Sequence, residues 1–236
     1  VFQSVQDNKS DFGIVPIENS TEGAVNLTLD CLAKFNLAIC GEVEMRIHHN
    51  LLGYNKPLPK EGFEIHAHEQ TLAQCKQWLD SYCPSVKRVA VASNAKAAIN
   101  ASKSDSVFAI AGKLAAEKYG LDILDKNIED YFNNTTRFIS IGKITSEASG
   151  LDKTSLLVTT KNEPGALYEV LRPINELELN LTHITYRPSR IDNWHYSFYL
   201  DVEGHQAEEK IQKLLSGLNE TEADVRVLGS FPKAIS

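Results

Sequence analysis

The chain has 236 residues, 42% of them apolar and 23% charged, which excludes wholesale disorder, collagen and coiled coil and leaves room for one large or two ordinary domains. Its 24 basic and 31 acidic residues give a net charge of −7 with no Lys/Arg run to offset it, arguing against a nucleic-acid or anionic-membrane surface. The four cysteines, Cys31, Cys40, Cys75 and Cys83, form no C-x-x-C pair and are expected to be reduced thiols. No apolar stretch approaches the roughly 20 residues of a membrane span, and no secretory leader is visible, so a cytoplasmic location is expected.

The first 145 residues alternate short β-rich runs with helical ones, the pattern of an α/β domain with parallel pairing. Phe12 to Ile17 reads as a strand covered on both faces, followed by the polar elbow Glu18-Asn19-Ser20-Thr21 and a helix beginning near Ala24 that carries Val25, Leu29 and Leu32. Phe63 to His66 leads into a helix with Leu72, Cys75 and Leu79, and Val86 to Ala92 into one starting near Ala95. Val107 to Ala111 is a further strand, and the helix Lys113 to Tyr119 is closed by Gly120. Ser146 to Gly150 reads as a linker.

From Lys153 the order becomes strand, helix, strand, strand, helix, strand. Thr154 to Thr160 begins it, Pro164 suits the first helical turn, and Leu167, Val170, Leu171 and Ile174 form an apolar stripe. Leu181 to Arg187 and Tyr196 to Val202 are the two middle strands. Ile211, Leu214, Leu215 and Leu218 mark the second helix, and Val225 to Leu228 the last strand. This is a split βαβ, ferredoxin-like layout. The expected domains are 1–145 and 153–236.

Ligands of open α/β sheets sit outside the carboxyl ends of the strands, so the polar elbows are the candidate sites. The first runs from Pro16 to Gly23, where helix N–H groups, an amide and hydroxyls suit an anion; an ordinary helix cap is the alternative. The second, His66-Ala67-His68-Glu69-Gln70-Thr71 with Gln74 one turn on, has two histidines but no third ligand at metal-site spacing, so a cleft lining is expected and a metal is not. The third, Asn133-Asn134-Thr135-Thr136-Arg137-Phe138, precedes a strand from Ile139 to Ile141. Arg137, one of three arginines in the first 150 residues, either binds a carboxylate bidentately or ties loop to sheet. His48 and His49 read as a surface pair or a satisfied core histidine on a strand. With neither G-x-x-x-x-G-K-[ST] nor G-x-G-x-x-G present, no nucleotide cofactor is indicated.

The run Val15 to Gly23, then His68-Glu69-Gln70 with Gln74-Cys75, then Asn134-Thr135-Thr136-Arg137-Phe138, closely resembles the prephenate dehydratase family. Gly165-Ala166-Leu167 opening a helix and Arg187-Pro188 ending a strand resemble the ACT regulatory domain that follows it there. The resemblance implies a two-lobed, periplasmic-binding-protein-like catalytic domain plus a ferredoxin-like βαββαβ ACT domain. It also implies conversion of prephenate to phenylpyruvate with loss of carbon dioxide and water, in phenylalanine synthesis, without metal or organic cofactor.

By the same resemblance Thr136 supplies the essential hydroxyl, and Arg137 or nearby N–H groups bind a carboxylate. Glu18, Asn19, Ser20, His68, Gln74, Ser93 and Phe138 contact the substrate. Thr136 and the turn at positions 18–20 are expected to face each other across a shared gap. L-Phenylalanine is the implied effector, bound by Gly165, Ala166, Leu167, Asn180, Leu181 and Arg187, and self-association to a dimer or tetramer is expected. Three departures stand out. The chain starts after the family's Gly-Thr-Phe-Ser segment, so the first strands of the catalytic domain are expected to be missing. Ala67 replaces a serine before His68. Thr185-Tyr186-Arg187-Pro188 stands where Glu-Ser-Arg-Pro is customary. Arogenate dehydration, and a non-catalytic sensor of aromatic acids and amino acids, remain as alternative readings.

Overall fold

The structure, a computed structural model, describes residues 1–54, 58–59, 61–188 and 195–234. In chain order its elements are α1 (Phe2–Gln6), β1 (Phe12–Asn19), β2 (Gly23–Ala24), α2 (Asn26–Lys34), β3 (Ala38–Arg46), β4 (Asn50–Gly53) and β5 (Glu64–Ala67). There follow α3 (Glu69–Gln74), α4 (Lys76–Tyr82), β6 (Lys87–Ala90), α5 (Asn94–Ala101), β7 (Val107–Ala111), α6 (Lys113–Tyr119), β8 (Asp122–Asp125) and β9 (Thr135–Gly142). The C-terminal part holds β10 (Asp152–Thr160), α7 (Ala166–Glu176), β11 (Leu181–Pro188), β12 (Tyr196–Glu203), α8 (Glu209–Asn219) and β13 (Asp224–Pro232).

The chain forms two compact units, one of residues 1–45 with 135–236 and one of residues 46–134. The first contains two four-stranded sheets, ordered β2-β1-β9-β3 and β11-β12-β10-β13. One core joins them: Val15, Ile17, Ile139 and Ile141 of the first sheet and Leu29 and Leu32 of α2 pack with Leu157, Tyr199, Leu228 and Phe231 of the second. The other face of the C-terminal sheet, carrying Leu156, Val158, Leu200 and Val202, is covered by Val170 and Ile174 of α7 and Ile211, Leu214 and Leu218 of α8. Alternation of side chains along each strand lets one sheet serve both cores. Gly229 permits the close approach: at φ +152°, its position would put a Cβ 2.1 Å from the Ile39 carbonyl oxygen.

The second unit is one mixed sheet, β6-β5-β7-β4-β8, in which β5 pairs parallel with β6 and β7, while β4 runs antiparallel to β7 and β8. Its fully buried Leu51, Ile65, Phe108 and Ile110 read in the sequence as short continuous apolar runs, as expected for strands covered on both faces. Gly120 takes the left-handed conformation, φ +65°, that ends α6.

Several expectations are corrected. In β1, Phe12 and Ile14 are 52% and 67% exposed, so only the face with Val15 and Ile17 is covered. The helix after the first elbow starts at Asn26 because Gly23–Ala24 pairs back onto β1 as β2. The helix carrying Leu72 and Leu79 is two helices broken at Cys75. β9 begins at Thr135, which places Thr136 and Arg137 in a strand, whereas His48 and His49 precede β4. α7 starts after Gly165, so Pro164 lies outside it and Pro173 inside. β11, a middle strand by sequence order, is an edge strand of its sheet.

Candidate active site

The best-defined polar constellation of the first unit is built where β1 and β9 end side by side. Pro16 has no N–H for the ladder, and the register shifts between Pro16 and Glu18. After the shift Glu18 lies opposite Arg137 and Asn19 opposite Thr136. The chain then turns, and Asn19 Oδ1 accepts both the Thr21 N–H at 3.0 Å and the Thr21 hydroxyl at 2.6 Å. This local turn fixes the amide. Its Nδ2 donates to Thr136 Oγ1 at 2.8 Å. Ser20 clamps the neighbouring residue, its N–H donating to Thr135 O at 2.9 Å and its Oγ accepting from Thr135 N at 3.0 Å. The turn and Thr136, expected across a gap, are therefore in direct contact.

Consecutive side chains of a strand point to opposite faces. Thr136 and Phe138, buried and half-buried, share one face of β9; Arg137 shares the other with Ile139 and Ile141, toward the C-terminal sheet. Arg137 Nε donates to Glu42 Oε2 at 2.7 Å, and Nη2 meets Asp201 Oδ2 at 2.6 Å. Lys153 Nζ meets Glu42 Oε1 at 2.8 Å, where the Ala234 N–H also donates at 2.9 Å. Burial would lower the guanidinium pKa, but Asp201 and Glu42 raise it above its ordinary value; burial likewise works to raise the Glu42 carboxyl, while Arg137 and Lys153 hold it down. Two protein carboxylates thus occupy the Arg137 fork, the tie between strand and sheet that was one of its two expected roles. Glu18 lies on the same side and pairs with His183 Nδ1 at 3.2 Å.

The other predicted contacts lie in the second unit. His68 ends β5 and precedes α3, its N–H donating to Asn94 Oδ1 at 2.9 Å. Ser93 caps α5, its Oγ accepting from the Lys96 N–H at 3.1 Å, so the capping duty explains this serine. Gln74 Oε1 accepts from His49 Nε2 at 2.8 Å and from Asn134 Nδ2 at 3.2 Å. His49 is 4% exposed and holds the Gln74 amide, a role that the sequence reading missed; His48 meets the buried Glu129 at 2.8 Å. Among the described residues no group of three or more His, Cys, Asp and Glu is placed to hold a metal ion, and no helix is long and apolar enough to cross a membrane.

The residues expected around an effector do not converge within one chain. Gly165, at φ +87°, and Ala166 line a cavity of about 430 Å³ at the start of α7, with Leu167 half-buried beside it. Asn180 and Leu181 lie beyond the other end of this 11-residue helix. Such a helix is about 16 Å long. Arg187 faces away from the helix layer and donates to both carboxylate oxygens of Asp30 on α2, at 3.1 and 3.2 Å.

Residues 1–146 match the family model described as Prephenate dehydratase, and residues 154–220 that of the ACT domain. The bifunctional chorismate mutase/prephenate dehydratase of Pseudomonas aeruginosa is 46% identical over 235 residues, covering 100% of this chain; the chain spans 64% of that relative. The prephenate dehydratase of Methanocaldococcus jannaschii is 39% identical over 236 residues, covering 98% of this chain and 84% of the relative. The structure of the prephenate dehydratase from Arthrobacter aurescens in complex with L-Phe aligns at a TM-score of 0.88 and 32% identity, covering 98% of this chain and 78% of that one. With more than half of its length matched by one family, the chain belongs to the prephenate dehydratase family and carries an ACT domain.

Proposed function

We propose that the protein converts prephenate to phenylpyruvate, with residues 1–145 as its catalytic domain and 153–236 as its regulatory domain. In this reaction the bond from the ring to its carboxylate breaks and its electron pair enters the ring as carbon dioxide leaves. The ring C–O bond breaks at the opposite carbon, and the departing oxygen carries its pair away and takes up one proton to become water. The step needs a donor at the developing hydroxide and a fixed substrate.

The observation that carries this reading is the Asn19–Thr136 hydrogen bond. Because Thr21 occupies the Asn19 carbonyl, the amide must act as donor, and Thr136 Oγ1 accepts. The Thr136 proton is then directed outward, and hydrogen bonds in series strengthen one another. A threonine hydroxyl is a weak acid, so it stabilises the departing oxygen by hydrogen bonding more than by proton transfer. Ser20 keeps β9 in register by holding Thr135. Phe138 shares the Thr136 face and is a substrate contact in this reading, as are His68 and Gln74, whose amide is fixed by His49 and Asn134.

L-Phenylalanine is the proposed effector. The helix N-terminus at Gly165 suits an amino-acid carboxylate, and the separation of Gly165 from Asn180 calls for the two groups to come from different copies of the chain. Edge strand β11 exposes Ile184 and Tyr186, 45% and 62% accessible, which supports a self-association of dimer or higher order. Four free cysteines suit a reducing, cytoplasmic setting.

The test is the complete gene product incubated with prephenate, with and without phenylalanine. Phenylpyruvate formation that phenylalanine suppresses is expected. Turnover of arogenate but not prephenate would replace the substrate, and binding without turnover would make the protein a sensor.

A further inference from the structure

Beneath the Asn19–Thr136 pair lies a second pair with no part in the chemistry proposed above. Glu18 and Arg137 are opposite each other in the β1–β9 ladder, one residue back from Asn19 and one on from Thr136. Their side chains meet the C-terminal sheet at two residues that are themselves opposite each other in the β11–β12 ladder, His183 and Asp201. The contacts are Glu18 to His183 at 3.2 Å and Arg137 to Asp201 at 2.6 Å. Two cross-strand pairs, one from each sheet, thus stack into a four-residue clamp.

We infer that Asp201 and His183 are positioning residues for the dehydration step, acting through Arg137 and Glu18 to hold Thr136 and Asn19 in register. This rests on Thr136 supplying the reacting hydroxyl.

On the Arg137 side of the clamp the carboxylates have little freedom. Asp201 takes Arg137 on Oδ2 and the Ser155 hydroxyl on Oδ1, so it is tied to β10 as well as β9. Glu42 takes Arg137 on one oxygen and Lys153, also of β10, on the other. Arg137, Glu42 and Asp201 side chains are only 8%, 0% and 6% exposed. A planar guanidinium shared between two fixed carboxylates cannot follow one without losing the other. Any shift of β10 or β12 therefore reaches β9 beside Thr136, and misplacement by about 1 Å can cost on the order of 100-fold in rate. Stability alone does not account for the arrangement, since a buried ion pair is often no more stabilising than apolar packing of the same volume. The C-terminal sheet has other polar ties for that purpose, Tyr199 to the Leu29 carbonyl and Arg187 to Asp30, and these land on α2, away from β9.

The experiment compares Asp201→Asn, His183→Ala, Asp30→Asn and Thr136→Ala in the complete gene product, with prephenate as substrate and folding checked by circular dichroism. Asp201→Asn and His183→Ala should each lower kcat by about tenfold or more while KM stays within about twofold. Asp30→Asn, which breaks the tie to α2, should leave kcat within about twofold. Wild-type kcat in Asp201→Asn, or an equal loss in Asp30→Asn, overturns the inference. If Asp201→Asn does not fold, Arg137→Lys, which keeps the buried charge but not the fork, is judged by the same two criteria. A fully active Thr136→Ala would remove the underlying reading; an inactive Thr136→Ala beside a fully active Asp201→Asn would remove only the clamp.

Discussion

Asn19 Nδ2 lies 2.8 Å from Thr136 Oγ1, and the same Asn19 accepts two hydrogen bonds from Thr21. A side chain 117 positions earlier in the chain thus sets which way the Thr136 hydroxyl points. The arrangement is made by backbone register, through a shift at Pro16 and a turn three residues long.

Replacing that amide by a carboxylate tests the polarity of the bond. Asn19→Asp puts an acceptor against Thr136 Oγ1, drawing the hydroxyl proton inward and away from substrate. The expected result is a fall in kcat of about 100- to 1,000-fold, the scale for losing one preorganised donor, measured from steady-state phenylpyruvate formation.

Acid stability should report the Glu42 network. Its carboxyl is held below the ordinary value of 4.5, so its contribution is fully present above that pH and is lost as pH falls through the lower value of the folded state. Glu42→Gln should lower the thermal midpoint at pH 7 and flatten its decline below about pH 4.5. Thermal melts of both proteins between pH 7 and pH 3 check this, and equal slopes would count against it.

Breaking the fork altogether should be costly. Arg137→Met leaves Glu42 and Asp201 buried without their shared cation, and removal of one partner from such a pair costs about 3–5 kcal/mol. Arg172→Ala breaks only exposed contacts with Glu169 and Glu176 and should leave the melting curve unchanged.

Gly229 makes a separate demand on packing. Gly229→Ala would drive a methyl into the Ile39 carbonyl at 2.1 Å from a backbone that disfavours a side chain. A destabilisation of about 1–3 kcal/mol or more is expected, read by urea unfolding.

In the second unit, His49→Phe keeps the buried volume but removes the donor to Gln74 Oε1. With that donor lost from the Gln74 amide, kcat/KM for prephenate should fall between about 10- and 100-fold while the fold is retained, as seen by circular dichroism.

Much of the fold was legible in the sequence. Short apolar runs marked β5 and β7, Gly120 marked the end of α6, and the C-terminal order of elements marked the split βαβ. Periodicity did not reveal that β1 is covered on one face only, because Phe12 and Ile14 are as apolar as the buried Val15 and Ile17. The elbow at Asn19 read as a helix cap or an anion site, but the helix starts only at Asn26, and the union of Asn19 with Thr136 depends on a ladder between distant strands. The partners of Arg137 and Arg187 were not legible for one reason. Glu42, Asp201 and Asp30, which hold their guanidinium groups, are remote in sequence, and a motif cannot say which face of a strand its arginine takes. A lone acid within the apolar run Phe198-Tyr199-Leu200-Asp201-Val202 was the one local sign that a buried cation had to be near.

The most direct measurement is the rate of phenylpyruvate formation at saturating prephenate for Thr136→Ala and Thr136→Ser beside the wild-type protein. A hydroxyl that steadies the departing oxygen predicts a loss of about 100-fold or more for alanine and retention within about tenfold for serine. An alanine variant as fast as wild type would contradict it.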